Sequence, residues 1–240
     1  VWQLCGQDFH AQQYIPSLKK KLSPNKPFGI GLRLADAASR ELLQGNTLQE
    51  FKSWLNEHEL YVFTLNGFPY GGFHLQVVKD KVYAPDWSKQ ERLDYTLRLT
   101  KILAELLPQD IEGSISTVPL SYKPWFESNQ SQAKVASSAA IHIAQVVAEM
   151  VQIRATTDKV LHLNLEPEPD ALLENADEVI KYFQKYLLPI GGTYLARKLG
   201  IPQPAAEVLL LEHVRVCYDT CHFAVEYENP ASVFQRFASS

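Results

Sequence analysis

Two acidic residues and a histidine have the types and spacing needed for chemistry on a small polar substrate. Glu166 ends the alternating segment "VLHLNLE", and Pro167 then prevents a strand from continuing its hydrogen-bond ladder. Asp219 ends the segment "VRVCYD", and His222 follows three residues later. Carboxylate oxygens combined with an imidazole nitrogen suit Mn²⁺, Mg²⁺ or Zn²⁺. The pattern therefore predicts a divalent-metal site formed by Glu166, Asp219 and His222.

The predicted site would also support proton transfer. A divalent ion polarises a carbonyl group and stabilises an enediolate, and Glu166 beside it would act as the base. Two other interpretations stay open. Asp219 can simply cap the next helix while His222 packs locally. Alternatively, Cys217, Cys221 and His222 can be zinc ligands, although no second ligand cluster at zinc-site spacing accompanies them.

Two charged residues outside this set are candidate substrate contacts. Arg33 ends the alternating segment "FGIGLRLA" on its polar face, where it would bind an anionic substrate group or pair with Glu166 or Asp219. Glu168 lies two residues beyond Glu166. It is interpreted either as a substrate contact or as an acid that favours the positive end of the following helix.

The segment "TLNGFPYGGFH", residues 64–74, contains three glycines and three aromatic residues after a predicted strand. Such a segment can form a flexible loop that closes over a small substrate, with Asn66 and His74 as its polar contacts. A purely structural turn explains the glycines and the proline equally well.

The candidate residues follow predicted strands that alternate with helices. The predicted strands are 28–35, 60–67, 114–121, 160–166 and 214–219. The predicted helices are 38–58 with a break at residues 45–46, 89–107, 132–154 and 171–187, and further helices are expected within 189–213. This alternation predicts an α/β fold with parallel strands joined by right-handed crossovers.

The pattern of apolar residues in each strand favours a barrel over a flat sheet. In "LHLNLE" three leucines occupy one face while His162, Asn164 and Glu166 occupy the other, and in "YVFTLN" the apolar face is predicted to contain Tyr61, Phe63 and Leu65. A flat sheet covered by helices on both faces would have nearly continuous apolar strands. We therefore predict one TIM (β/α)8 barrel domain over residues 1–240, incomplete in this chain because only five strands are found.

Composition excludes several classes of function. A chain of 240 residues with 46% hydrophobic and 21% charged content is typical of a globular domain. The net charge of −4, without a block of basic residues, argues against nucleic-acid binding. The longest apolar runs, such as residues 208–211, are too short for membrane insertion, and three cysteines suit a reducing compartment, so a cytoplasmic location is expected.

Four motifs in order, "TLNGFPYGGFH", "VYAPDWSKQERLDYT", "LNLEPEPDALLE" and "CYDTCHFAVEYE", resemble those of the EboE-type metabolite traffic proteins. These proteins are a branch of the xylose isomerase-like TIM-barrel superfamily of sugar phosphate isomerases and epimerases. The likeness extends from about residue 28 to the end of the chain.

The resemblance implies a metal-dependent barrel of the xylose isomerase-like type. It implies that Glu166 and Asp219, at the ends of the fifth and sixth strands, bind the divalent ion, and that His222 contacts substrate or a second metal. The family's remaining histidine and glutamate ligands belong to the seventh and eighth strands. The segment 1–15 would be the helix after the first strand, so the first and last strands are expected to be missing from this chain.

Two functions are carried forward. The first is an isomerase or epimerase that acts on a sugar or a small hydroxy-carbonyl metabolite, linked by the resemblance to the traffic of a secondary-metabolite precursor. The alternative is a non-catalytic metabolite-binding or escort protein on the same barrel. Metal-assisted hydrolysis of phosphodiesters is disfavoured because a basic groove is not evident. The expected partner is a small-molecule substrate, and association with a second copy or with proteins of the same pathway is left open.

Overall fold

The computed structural model describes residues Gln3–Leu4, Gln7–Asp8, 11–71 and 79–240. His74, the candidate substrate contact, therefore lies outside the described residues. The strands are β1 (Gln3–Leu4), β2 (Gln7–Asp8), β3 (Phe28–Arg33), β4 (Leu60–Asn66), β5 (Gly113–Thr117), β6 (Leu161–Leu165) and β7 (Val214–Val216).

The α-helices are α1 (Ala11–Leu22), α2 (Asp36–Leu42), α3 (Thr47–Glu57), α4 (Gln90–Leu106), α5 (Asn129–Thr157), α6 (Ala176–Tyr182), α7 (Gly192–Leu199), α8 (Gln203–His213), α9 (Thr220–Val225) and α10 (Pro230–Ser239). Two short 3₁₀ helices, Lys79–Tyr83 and Lys123–Trp125, and a π-helical segment, Phe183–Gly191, complete the described elements.

Strands β3 to β7 form one parallel sheet in the order β3-β4-β5-β6-β7. Each strand is followed by at least one helix before its neighbour begins, as parallel connections require. The predicted α/β fold with a parallel sheet is confirmed. Sheet order follows chain order without reversal, unlike the doubly wound sheets, whose order reverses at a switch point.

Two predicted helices differ from the structure. The helix expected over 171–187 begins later, at Ala176, because Asn175 caps it by accepting a hydrogen bond from the Glu178 amide at 3.0 Å. The single helix expected over 1–15 is wrong. The backbone groups of Gln3–Leu4 pair in antiparallel fashion with those of Gln7–Asp8, and α1 begins only at Ala11.

The face prediction for β4 is also wrong, and a β-bulge explains why. Ile30 pairs with Val62 but Gly31 pairs with Thr64, so Phe63 is an extra residue that changes the register. As a result Val62 and Leu65 are both fully buried on the helix side, whereas Phe63 is 40% exposed. The rings of Tyr61 and Phe63 then lie over Gly29, where a Cβ would come within about 3.0 Å of them.

The core lies between the sheet and its helices. Ile115 and the three leucines of β6 are fully buried there, as the alternation in those strands predicts. Helix α5 runs for 29 residues along this core, and the Ser128 hydroxyl caps it by accepting from the Ser131 amide. By length and composition alone α5 could cross a membrane, but 50% of its most apolar window is buried in the protein. Packing against α4, α7 and α8 accounts for that composition.

Candidate metal centre

Glu166 and Asp219 meet at the carboxyl edge of the sheet. Glu166 directly follows β6, and its amide donates to Thr117 O at 3.1 Å, which extends the pairing with β5 by one residue. Asp219 lies just beyond the neighbouring strand β7, at the start of α9. One ligand atom from each of Glu166, Asp219 and His222 lies within 4.8 Å of the other two. The structure thus brings together the three residues predicted to form one site.

These separations are near those that a divalent ion requires. Zinc binds carboxylate oxygen and imidazole nitrogen at about 2.0–2.2 Å in tetrahedral geometry, so its ligand atoms lie about 3.5 Å apart. Mg²⁺ has ligands at about 2.0–2.1 Å in octahedral geometry, with neighbouring ligand atoms about 3 Å apart. The three ligand atoms, which lie within 4.8 Å of one another, would therefore move closer together by side-chain rotation to bind one ion.

The imidazole of His222 has its coordinating nitrogen directed to the acids. Its Nδ1 lies 3.0 Å from Pro167 O, and because a carbonyl only accepts, Nδ1 carries the proton. In the neutral form of the ring the lone pair is then on Nε2, which lies 3.6 Å from Asp219 Oδ2. A backbone carbonyl that fixes the tautomer in this way is the usual companion of a metal-binding histidine.

The Asp219 carboxylate divides its two oxygens between two roles. Oδ1 accepts from the amides of Cys221 at 2.7 Å and His222 at 3.4 Å, which caps α9. Oδ2 faces the His222 ring. Asp219 therefore does cap α9, as one of the two interpretations predicted. Capping uses only Oδ1, so Oδ2 is available to a ligand.

Burial raises the pKa of Glu166, and the nearby Asp219 and Glu168 carboxylates raise it further, while His222 and a hydrogen bond from Ser116 lower it. A partly desolvated acid beside other acids favours a counter-ion or a proton. Burial together with Glu166 and Asp219 also raises the pKa of Cys217 to about 11, so this thiol is protonated at neutral pH. Among the described residues, the ligand atoms that converge are those of Glu166, Asp219 and His222, without Cys217 or Cys221, which disfavours the cysteine-based interpretation.

Glu168 does not serve the start of the following helix, because α6 begins only at Ala176. Its carboxylate instead accepts a hydrogen bond at 2.9 Å from the hydroxyl of Tyr83, a buried residue of the 3₁₀ helix before α4. Burial and this carboxylate both raise the pKa of Tyr83, so the phenol stays protonated as the donor. Glu168 therefore links the loop after β6 to the segment before α4.

Residues 67–71, which follow β4 and are here called the clamped segment, are fixed through their carbonyl groups. Arg92 Nη1 donates to Gly67 O at 2.8 Å and to Phe68 O at 3.0 Å. The Asp36 amide donates to Tyr70 O at 2.8 Å. The clamped segment thus has the fixed geometry of a structural turn, which is the second of the two interpretations given to this part of residues 64–74.

The remaining contacts of the clamped segment involve two predicted substrate contacts. Arg33 Nη2 donates to Gly71 O at 2.8 Å, and Asn66 Oδ1 accepts from the Phe68 amide at 3.0 Å. The Tyr95 hydroxyl is shared between Leu34 O and Pro69 O, the latter at 3.4 Å. Arg33 and Asn66 thus both contribute to holding this segment at the edge of the sheet that carries Glu166.

Arg92 and Tyr95 were not identified from the sequence, although a signal is present. Arg92 is fully buried, and its Nε also donates to Pro85 O at 2.8 Å. Arg92, Tyr95 and Leu99 recur at helical spacing along the buried face of α4. A charged residue at a core position of an amphipathic helix indicates a buried polar network, because an unpaired buried charge is too costly.

No family model and no curated protein matches the chain. A solved structure described as the IolI protein with a bound zinc atom is similar to it, with 13% sequence identity and a TM-score of 0.37. The match covers 65% of this chain and 48% of that one, so the chain spans about half the length of that structure.

Proposed function

We propose that Glu166, Asp219 and His222 bind one divalent cation, Mn²⁺, Mg²⁺ or Zn²⁺. The observation that carries this proposal is their convergence within 4.8 Å, with two acids from neighbouring strands and an imidazole in the coordinating tautomer. When bound, such an ion polarises a carbonyl group of the substrate. Glu166 would accept a proton from the carbon next to that carbonyl, through the carboxylate oxygen that does not bind the ion.

The corresponding reaction is isomerisation or epimerisation of a sugar or a small hydroxy-carbonyl metabolite, on a xylose isomerase-like TIM barrel. Strand order that follows chain order, together with acids at the carboxyl edge, supports a barrel that places its active site at that edge. The link to metabolite traffic rests on the motif resemblance and stays a prediction, as do a cytoplasmic location and association with pathway proteins.

Metal content tests the first part of the proposal. The metal-free protein is titrated with Mn²⁺ and Zn²⁺ and compared with a Glu166→Ala, Asp219→Ala double variant. About one ion per chain is expected in the parent and none in the double variant. A Glu50→Ala, Asp94→Ala variant serves as the control, because it removes the same two acid types from exposed helix positions. Equal metal binding by all three proteins would overturn the proposed centre.

The role of His222 is tested with a matched histidine. His222→Gln is expected to weaken metal binding at least about tenfold, because it removes one of three ligands. His58→Gln is the control, since His58 Nδ1 also lies 2.9 Å from a backbone carbonyl, that of Trp54. If both variants bind metal equally well, His222 is not a ligand.

Catalysis is tested by solvent exchange. The metal-loaded protein is incubated in deuterium oxide with a panel of aldoses, ketoses and their phosphates, and deuterium at the carbon next to the carbonyl is measured by NMR. Metal-dependent exchange that Glu166→Gln abolishes supports the enzyme. Saturable binding of a panel member without exchange would instead support the metabolite-binding alternative.

A further inference from the structure

Two histidines lie at the amino end of the sheet, opposite the edge that carries the proposed metal centre. His162 is the second residue of β6, and His213 is the last residue of α8, directly before β7. They are 5% and 0% exposed, and their ring centroids are 6.3 Å apart. Because a buried imidazole needs hydrogen-bond partners, its contacts indicate which protonation state the fold accommodates.

Both ring nitrogens of His162 face acceptor atoms. Nδ1 lies 3.0 Å from Glu212 O, and Nε2 lies 2.8 Å from Glu112 Oε2. A backbone carbonyl only accepts, and so does the Glu112 carboxylate, whose pKa is lowered mainly by its hydrogen bond with His162. A neutral imidazole has a single N–H group. Both contacts of His162 are therefore hydrogen bonds only when the ring is an imidazolium.

The protonated ring connects the beginnings of three neighbouring strands. Glu112 directly precedes β5, His162 belongs to β6, and Glu212 is the second-last residue of α8, which leads into β7. In the neutral ring, Nδ1–H can keep its bond to Glu212 O while the lone pair of Nε2 faces the Glu112 carboxylate. That carboxylate is 62% exposed and can turn into water. Loss of one proton would therefore release β5 and leave the connection to β7 in place.

Two acids and two arginines surround the His162 ring among the described residues. Arg154 of α5 forms a salt bridge with the Glu212 carboxylate. Arg215 of β7 donates from Nε to Glu212 O at 3.2 Å. Both arginines also lower the pKa of Glu112, so they lie near its carboxylate. Because these four charges sum to zero, the contact with Glu112 is the interaction that changes most with the charge of the ring.

His213 does not share the positive charge. Its Nδ1 donates to Leu161 O at 2.7 Å, and its buried Nε2 has no hydrogen-bond partner among the described residues. Burial is the main cause that lowers the pKa of His213. Leu161 O and Glu212 raise this pKa, whereas the charges of His162 and Arg154 lower it. A second positive charge beside His162 is thus disfavoured.

We propose that protonation of His162 is a pH-sensitive switch that connects the amino ends of β5, β6 and β7. The connection is complete when the ring is protonated and Glu112 is ionised. Glutamate ordinarily ionises above about pH 4.3 and imidazole loses its proton at about pH 6.5. The connection therefore forms at mildly acidic pH, and its contribution to stability is lost as pH rises through neutrality. This switch does not depend on the proposed metal centre.

A double-mutant cycle tests the pairing. Glu112→Gln removes the charge, and His162→Asn keeps a donor near the position of Nδ1 but removes Nε2. Urea unfolding of the full chain in EDTA is measured at about pH 5.5 and about pH 8 for the parent, both single variants and the double variant. We expect the pair to be coupled about fivefold in the unfolding equilibrium constant at the lower pH and less than about 1.5-fold at the higher pH. Coupling that is absent at both pH values, or equal at both, would overturn the proposal.

Hydrogen exchange provides a second test that needs only the exposed substitution Glu112→Gln. The Gly113 amide donates to Val160 O at 2.9 Å and so reports on the junction of β5 and β6. Between about pH 5.5 and about pH 8 its protection factor should fall about fivefold in the parent and less than about 1.5-fold in Glu112→Gln. The Phe28 amide, which donates to Glu59 O at 2.9 Å where β3 begins, is the control and should not change in this way. The same fall at Gly113 in both proteins would show that Glu112 does not form the switch.

Discussion

The clamped segment and the metal centre lie at the same edge of the sheet, yet they use their polar groups in opposite ways. In the clamped segment the carbonyls of Gly67, Phe68 and Tyr70 have donors within the protein at 2.8–3.0 Å. At the metal centre burial, and then the neighbouring Asp219 and Glu168 carboxylates, disfavour the charged form of Glu166. A polar group satisfied within the protein stabilises the fold, whereas a partly buried acid beside other acids indicates a ligand.

The largest effect should come from removing the buried charge that holds the clamped segment. Arg92→Met leaves the carbonyls of Gly67, Phe68 and Pro85 without their donor, and we expect the free energy of unfolding to fall by about 3–5 kcal/mol. Urea denaturation measures this loss. Lys101→Met, at an exposed position of the same helix, should change stability by less than about 0.5 kcal/mol. A loss below about 1 kcal/mol for Arg92→Met would show that these carbonyls are satisfied without the arginine.

A smaller effect is expected where the clamped segment crosses strand β5. A Cβ on Gly67 would lie 2.8 Å from a Leu99 methyl carbon and 3.0 Å from the backbone oxygen of Ser116. We therefore expect Gly67→Ala to destabilise by about 1–3 kcal/mol through overpacking. At Gly71 none of the described residues has a heavy atom within 4 Å of the same position, so Gly71→Ala should be close to neutral. Similar midpoints of thermal unfolding for the two variants would show that the close approach is relieved at little cost.

The smallest effect on stability is expected from a substitution at Glu166, and this substitution should stabilise the protein rather than destabilise it. The pKa of Glu166 is raised, so its contribution favours the fold when the acid is protonated and is lost as pH rises through the folded-state pKa. Glu166→Gln should therefore raise Tm of the metal-free protein at neutral pH, with the gain fading toward acidic pH. Thermal unfolding in EDTA between about pH 4 and about pH 8 measures it. A Tm gain that does not vary with pH, or that the exposed variant Glu50→Gln reproduces, would contradict this account.

The sequence was sufficient to place the acids but not their surroundings. Alternation in "LHLNLE" followed by proline located Glu166 at a strand end, and the parallel arrangement then placed it beside Asp219. These are local signals. The extra residue at Phe63 could not be found in this way, because a bulge depends on pairing with β3, and alternation alone assigned Tyr61 and Phe63 to the wrong face.

The side chains that donate hydrogen bonds to the clamped segment could not be predicted from the sequence either. Arg33 reaches Gly71 across 38 positions and Arg92 reaches Gly67 across 25, and neither pairing follows from residue type or spacing. The choice between a mobile loop and a fixed turn at residues 67–71 was decided by these contacts. Glycine content indicates where a chain can turn, but it does not indicate which hydrogen bonds fix the turn in the folded protein.

Because the two oxygens of Asp219 have different partners, the first turn of α9 should respond to metal binding. The amides of Cys221 and His222 bind one oxygen of a group whose other oxygen faces the proposed ion. A cation bound to Oδ2 would withdraw electron density from Oδ1 and weaken the hydrogen bonds that Oδ1 accepts. The amide NMR resonances of Cys221 and His222 should therefore shift when the proposed metal site is filled.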